Sequence, residues 1–257
     1  MSVRLPSNEC LYFTNRKEQE WLPVLKDKLP FQIPELIGNG KPDKIFPYNW
    51  GIYRWIEGEN AEMKLIDDVN KFAKDLAYFL TQLHKVEISN APPAGQHCFY
   101  RGAPLSVYDA ETKRAIKNLA NIFNFINFDL ATEIWDNAAK TEWNKSPVWF
   151  HGDFNESNLL VNNGKLSAVI DFGCCGIGDP SCDLVIAWTF LRGESREIFK
   201  SELRLDEAAW QRGRAWALWK ALITIEESLG KGETDKTIKA KNTLTEIIKD
   251  YSLTTRF

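Results

Sequence analysis

Within VWFHGDFNESNLLVNNGKLSAVIDFG, residues 148–173, three oxygen-bearing side chains occupy places that one hairpin would bring together. Two short apolar runs, LLV and LSAVI, are joined by Asn162-Asn163-Gly164, residue types that tolerate the positive φ of a tight turn. Asn158 immediately precedes the first run and Asp171 immediately follows the second, so closing the hairpin sets an amide oxygen beside a carboxylate. Asp153, on the loop entering the hairpin, can reach the same spot. Two oxygen ligands with a third carboxylate nearby, and no thiolate or imidazole at the centre, suit a hard cation such as Mg²⁺. Magnesium of this kind usually brings phosphate with it. In phosphoryl transfer the metal neutralises phosphate charge while a separate carboxylate accepts or orients the proton of the attacking hydroxyl. A purely structural reading, in which all three groups only satisfy loop backbone, leaves their joint spacing about a hairpin unexplained.

The composition narrows what else this chain could be. Its 257 residues are 44% hydrophobic and 12% aromatic, enough for one large core or two lobes and too apolar for a disordered protein. Lys and Arg number 32 against 35 Asp and Glu, a net charge of -3, which lacks the basic field that nucleic acid demands. The opening residues MSVRLPSNEC have no apolar signal core, and the run around LVIAWTFL falls far short of a bilayer span, so a cytoplasmic protein without a membrane partner is expected. The five cysteines, Cys10, Cys98, Cys174, Cys175 and Cys182, follow no CxxC spacing and read as buried free thiols rather than a zinc site or a nucleophile.

The elements that must position the three groups can be placed by periodicity. SVRL reads as a strand stopped by Pro6, and KEQEWLPVLKDKL as a helix. GIYRWIEGE alternates and reads as a strand ending at Glu57-Gly58, where the lobe junction is placed. Val69, Phe72, Leu76, Phe79, Leu83 and Val86 recur at helical spacing behind Asp67 and Asp68, with His84 beside the stripe as a packed residue. Residues 90–105 are turn-rich and 111–144 helical with breaks. Asp206 is a predicted N-cap for a last stripe through Ala215, Leu218, Trp219, Leu222, Ile225 and Leu229.

His151-Gly152-Asp153, Asn158 and then Asp171-Phe172-Gly173 resemble the catalytic loop and metal motif of protein kinases. The Gly after His and the continuation GIGDPSCDLVIAW are more similar to the aminoglycoside phosphotransferase family, and VRLP, KEQEWLP, YRWIEGE, LTQLHKVE and RGRAWALWKALI extend that resemblance over nearly the whole chain. The resemblance implies an α+β, protein kinase-like bilobal fold. A shortened N-terminal lobe with the hinge would take residues 1–57, and a mainly helical catalytic and substrate-binding lobe residues 58–257. It implies transfer of the γ-phosphoryl group of ATP or GTP, with Mg²⁺, to a hydroxyl of a small molecule, an aminoglycoside-type antibiotic or a related alcohol. Asp153 then resembles the base, Asn158 and Asp171 the metal ligands, His151 the loop-stabilising histidine and Asp183 the residue that holds the catalytic loop. Asp179 joins them as a supporting residue, although Asp179-Pro180 is also ordinary helix-start chemistry. The turn from Tyr53 through Arg54, Trp55 and Ile56 to Glu57 resembles the hinge that meets the nucleotide base. Arg4 stands where the phosphate-gripping strand cation is expected, an exposed surface arginine being the alternative reading, and Glu18 matches its acidic partner.

The sequence departs from the family before Val3, where two strands and a phosphate-covering loop are expected. Gly38-Asn39-Gly40 is predicted as a short turn, and Gly173, Gly176 and Gly178 belong to the metal-motif loop, so neither replaces it. Two alternatives follow: a catalytically weak or inactive nucleotide- or ligand-binding relative, and a metal-dependent phosphohydrolase. For the acceptor, Asp129, Glu133, Asp136, Glu226 and Glu227 are candidates to meet a polycation, and Trp216 and Trp219 to line an apolar pocket, with solvated faces and core packing the ordinary readings of each.

Overall fold

In a computed structural model of the chain, residues 1–7 and 9–254 are described, with side chains for all of these but 9–14. Cys10 therefore falls outside the described side chains. Ser2–Arg4 (β1), Leu36–Gly40 (β2) and Trp50–Tyr53 (β3) form one antiparallel sheet in the order β1-β3-β2, and the helix Glu9–Leu25 (α1) packs on it. Gly38-Asn39-Gly40, predicted as a turn, lies in β2. Gly40 is paired with Trp50, and a Cβ there would sit 1.7 Å from the indole, so glycine is chosen for close packing in a strand rather than for turning.

The predicted strand GIYRWIEGE divides in two. Its first part ends at Tyr53, and Glu59–Asn60 (β4) joins a second sheet, pairing with Leu159–Asn162 (β6), itself paired with Lys165–Val169 (β7). Between them Arg54 donates its backbone N–H to Glu35 O at 2.9 Å, and Gly58 takes φ 147°. The stretch 54–58 thus crosses between sheets, and its alternation reflects two surfaces rather than one. Gln32 also docks on the second sheet, its carbonyl accepting from Val169 N at 2.9 Å. Val148–Phe150 (β5) and Gly176–Gly178 (β8) form a separate antiparallel pair.

Val69–His84 (α2) begins at Asp68, whose side chain accepts from Lys71 N at 2.9 Å. It buries Phe72, Leu76, Phe79, Leu80 and Leu83, the face that the spacing predicts. Phe79 stacks on Phe154 at 5.8 Å and meets Phe172 edge-on at 6.5 Å, so α2 forms the apolar floor under both the loop and the end of the hairpin. Asp109–Ala120 (α3) and Phe128–Ala139 (α4) account for the interrupted helical region, and Ile186–Thr189 (α5) and Gly193–Leu203 (α6) follow the hairpin. Glu207–Ser228 (α7) is capped by Asp206, which accepts from Ala209 N at 2.9 Å. Residues on every side of α7 are buried, Arg212 and Arg214 included, because α3, α4 and Asp235–Thr254 (α8) surround it. Leu229, predicted to end its stripe, lies past the helix and is 36% exposed. Among the described residues no helix is long and apolar enough to cross a membrane.

Candidate active site

The hairpin forms as its turn residues require: Asn163 and Gly164 take φ of 49° and 75° between β6 and β7. At its open end Ile170 N donates to Asn158 O at 2.9 Å, which sets Asn158 beside the residue preceding Asp171. Asp171 has φ 64° and ψ 68°, a left-handed conformation that a carboxylate residue tolerates better than most but that still stores strain.

The loop entering the hairpin is held from behind. Both oxygens of the buried Asp183 carboxylate accept backbone N–H groups, from His151 and Gly152, each at 2.7 Å. Burial pushes Asp183 up to about 7 against those two donors. Gly152 has φ 84°, and a Cβ there would lie 2.3 Å from the Cys174 carbonyl, so this loop needs glycine between His151 and Asp153. His151 is fully buried. Its Nδ1 faces the Asp153 N–H at 3.3 Å, which places the ring proton on Nε2, donated to Ile170 O at 3.0 Å. Burial lowers its pKa, so a neutral imidazole with both nitrogens engaged ties loop to hairpin and is not free to move a proton.

Asp153 is fixed on both oxygens. Asn158 donates its amide N–H groups to Asp153 Oδ2 at 3.0 Å and to Asp153 O at 2.8 Å, and Lys220 Nζ on α7 lies 2.9 Å from Oδ1. Burial raises the carboxyl, but the charge and hydrogen bond of Lys220 outweigh it and hold Asp153 below the ordinary carboxylate range. Lys220 is absent from the sequence reading because a lysine on a helix ordinarily faces solvent; only its place within RGRAWALWKALI connected that helix to the site.

A second cluster adjoins the hairpin's other strand. Glu18 on α1 accepts from Phe172 N at 2.7 Å and from Arg4 Nη1 at 2.7 Å, so the candidate strand cation and its acidic partner do meet, next to the metal motif. Burial, ahead of the favourable charge of Arg4, raises the Glu18 carboxyl. Trp55 and Glu57 lie exposed in the crossing between sheets. Asp179 accepts from Ser181 N at 3.0 Å and pairs with Arg212 Nε at 2.6 Å in a fully enclosed ion pair, a partner that the helix-cap reading did not anticipate.

Asp171 makes no ion pair among the described residues, and its one hydrogen bond there is a long 3.4 Å contact from Gly173 N. Asn158 has its nitrogen committed to Asp153, leaving its amide oxygen available. One carboxylate and one amide oxygen fit Mg²⁺, which binds through few protein oxygens and completes its shell with water and phosphate. No group of three or more His, Cys, Asp or Glu side chains suited to a metal is gathered among the described residues, so a site built wholly from such ligands is absent there. Cys98, Cys174, Cys175 and Cys182 form no disulfide, and burial pushes Cys174 and Cys175 up to about 12, as protonated structural thiols. Beside Asp153 opens a cavity of about 460 Å³ between the loop, α7 and α8, with a smaller recess under Arg101, Trp216 and Trp219. The five acidic residues considered for a polycation line neither space.

A profile of the phosphotransferase enzyme family (APH) matches residues 3–216. An aminoglycoside 3'-phosphotransferase from Escherichia coli is 29% identical over 154 residues, 55% of this chain and 52% of that protein, and one from Salmonella typhimurium is 29% identical over 117 residues, 45% and 42%. The chain spans about half the length of these relatives. Among solved structures, the GDP complex of wild-type aminoglycoside 2'-phosphotransferase-IIIa superposes with a TM-score of 0.72 at 18% identity, over 97% of this chain and 86% of that one. Macrolide 2'-phosphotransferase type I gives 0.60 at 17% identity, over 94% and 82%. The architecture is therefore the α+β, kinase-like one of these enzymes, and the chain belongs to the phosphotransferase enzyme family.

Proposed function

We propose that the chain transfers the γ-phosphoryl group of ATP or GTP to a hydroxyl group of a small molecule. The observation that carries this reading is the meeting of Asp153 and Asn158 at the open end of the hairpin that delivers Asp171. Asp153, kept ionised by Lys220, accepts the hydrogen bond of the acceptor hydroxyl and aims its oxygen at the γ-phosphorus. As the new O–P bond forms and the bond to the β-phosphate oxygen breaks, the proton passes toward Asp153 and the nucleoside diphosphate leaves. Asn158 and Asp171 would hold Mg²⁺, which when bound neutralises phosphate charge. Glu18 fixes Arg4, whose guanidinium is directed at the phosphates, and the backbone of 53–57 meets the base at a lobe junction near Glu57-Gly58. ATP and GTP supply places this activity in the cytoplasm. The relatives' names, and a neighbouring structure described as a streptomycin and ATP ternary complex, make aminoglycosides and macrolides the first acceptors to try.

The test replaces Asp153 by Asn. Turnover with any acceptor found should fall by about 10²-fold or more while nucleotide affinity is nearly kept, since an orienting base acts chiefly in the transition state. Equal turnover by the variant would remove Asp153 from the reaction.

A further inference from the structure

The recess beside Asp153 carries a cation to which the proposed transfer gives no contact, although its charge helps to lower the Asp153 carboxyl. Arg101 lines it together with Asp153, Trp216, Trp219 and Lys220. The guanidinium lies 4.6 Å from the ring centroid of Trp219 and 5.3 Å from that of Trp216. Its Nη1 is shut off from solvent and has no hydrogen-bond acceptor among the described residues, and no carboxylate there pairs with it. A guanidinium stays charged at any physiological pH, and enclosing one of its N–H groups without an acceptor is costly. Stacking on indole faces offsets part of that cost and leaves the outer N–H fork unfilled.

The backbone is strained to put Arg101 there. Phe99 and Tyr100, both bulky and both non-glycine, take φ of 50° and 53° in succession immediately before it. The loop is pinned on each side: Tyr100 N donates to Gly95 O at 2.8 Å, Tyr108 Oη to Phe99 O at 2.7 Å, and Asp179 N to Gly102 O at 2.9 Å. Strain maintained by so many ties marks a side chain whose direction matters.

The charges lining the larger cavity balance, Asp153, Glu156 and Asp235 against Lys220, Lys236 and Lys239, so it holds no acidic excess for a polycation. In the larger cavity Lys220 neutralises Asp153 and Lys239 lies 3.5 Å from Glu156. Of the five acids considered for a polycation, none lines the cavity, and three are engaged elsewhere: Glu226 with Arg114 at 3.1 Å and Asn118 at 2.7 Å, Glu133 with the Tyr251 hydroxyl at 2.8 Å, and Asp136 with Lys113 at 3.5 Å.

We propose that Arg101 is the anion-recognising residue of the acceptor site, and that the acceptor is a small hydroxyl compound carrying a carboxylate or phosphate group rather than a polycationic aminoglycoside. This rests on the phosphotransferase reading and narrows it. The anionic group would pair with the guanidinium N–H groups of Arg101 other than the enclosed Nη1, with Lys220 contributing charge nearby, while the hydroxyl reaches Asp153.

The test gives the full chain MgATP or MgGTP and acceptors matched in skeleton: glycerate with glycerol, gluconate with sorbitol, glucose 6-phosphate with glucose, and kanamycin as the polycation. Nucleoside diphosphate release is measured, together with thermal shift by each compound in the presence of a non-hydrolysable nucleotide. An anionic member should exceed its neutral partner in kcat/KM by about tenfold or more, the carboxylate and phosphate arms naming which group is read. Arg101→Met should abolish that preference through the acceptor KM, and Arg101→Lys should restore part of it. Preference for kanamycin or for the neutral partners would overturn the inference and leave the phosphotransferase reading standing. It would equally be overturned if Arg101→Met raised the nucleotide KM or slowed every acceptor alike, since the guanidinium would then serve the γ-phosphate or the loop. Stabilisation by an anion that disappears in Arg101→Met, without phosphoryl transfer to any compound, would uphold the subsite and remove the phosphotransferase reading. Absence of any anion-dependent shift or turnover would overturn the subsite.

Discussion

The ammonium of Lys220 lies 2.9 Å from Oδ1 of Asp153, joining the middle of α7 to the loop before the hairpin across 67 positions of sequence. With Asn158 on Oδ2, the carboxylate is gripped from two directions. Its ionisation and its aim therefore depend on helix packing as much as on the loop.

Removing that cation should show in the pH profile. In the native chain Asp153 titrates below 3.8, so its competence as a base persists as pH falls toward that value. In Lys220→Met burial acts with less opposition, the carboxyl pKa climbs, and the acid limb of kcat/KM moves to higher pH. Superimposable acid limbs would show that Lys220 does not set the ionisation of Asp153.

Asp171 offers a test independent of turnover. Mg²⁺ added with nucleotide should raise the melting temperature, by the equivalent of about 2.7 kcal/mol at a hundredfold excess over Kd. Asp171→Asn keeps a residue that tolerates the φ of 64° while removing the charge, so it should lose the magnesium-dependent part of the shift. An undiminished shift in that variant would move the metal site elsewhere.

The Asp179–Arg212 pair is enclosed, Arg212 being 2% exposed, and Asp179 N also holds Gly102. Arg212→Met would strand a buried carboxylate and should destabilise the fold by about 3–5 kcal/mol in urea unfolding. Adding Asp179→Asn should recover part of the loss. If the single variant unfolds like the native chain, the pair contributes little.

His84, at the end of α2, has Nε2 buried without a hydrogen-bond partner among the described residues, and burial lowers its pKa from 6.5 to about 4. Between those values the unfolded chain binds a proton that the folded chain refuses. The contribution of His84 is thus fully present above pH 6.5 and is lost as pH falls toward 4, by on the order of 3 kcal/mol. In His84→Gln the slope of stability over that range should flatten; an unchanged slope would assign the acid sensitivity to other groups.

Features whose causes lie within a few residues could be read from the chain order. Asn163-Gly164 dictates the hairpin, Asp68 and Asp206 accept the first N–H groups of α2 and α7, and Phe72, Leu76, Phe79 and Leu83 face one way. These depend on φ preferences, short hydrogen bonds and the helical repeat, and so survive without knowledge of the rest of the fold. The meeting of Asp153 with Asn158, and the place of Asp171 at the open end of the hairpin, were legible for the same reason, since one hairpin relates them.

Local pattern misled where two surfaces share one stretch of chain. The alternation from Gly51 to Glu59 belongs to two sheets, and Gly38-Asn39-Gly40 is strand because Trp50 covers Gly40. Neither sheet partners nor an indole arriving from a neighbouring strand leaves a mark in the local pattern.

What the tertiary structure alone decided is the company each charge keeps. Lys220, Arg212 and Arg101 look like ordinary surface cations in the sequence, yet one grips Asp153, one is sealed against Asp179, and one stands over two tryptophans with Nη1 enclosed and unpaired among the described residues. Coulombic and stacking interactions act through space, with a strength set by distance and burial. Those distances exist only once α7 is surrounded by its neighbouring helices and the strained loop of Phe99 and Tyr100 is tied down beside it.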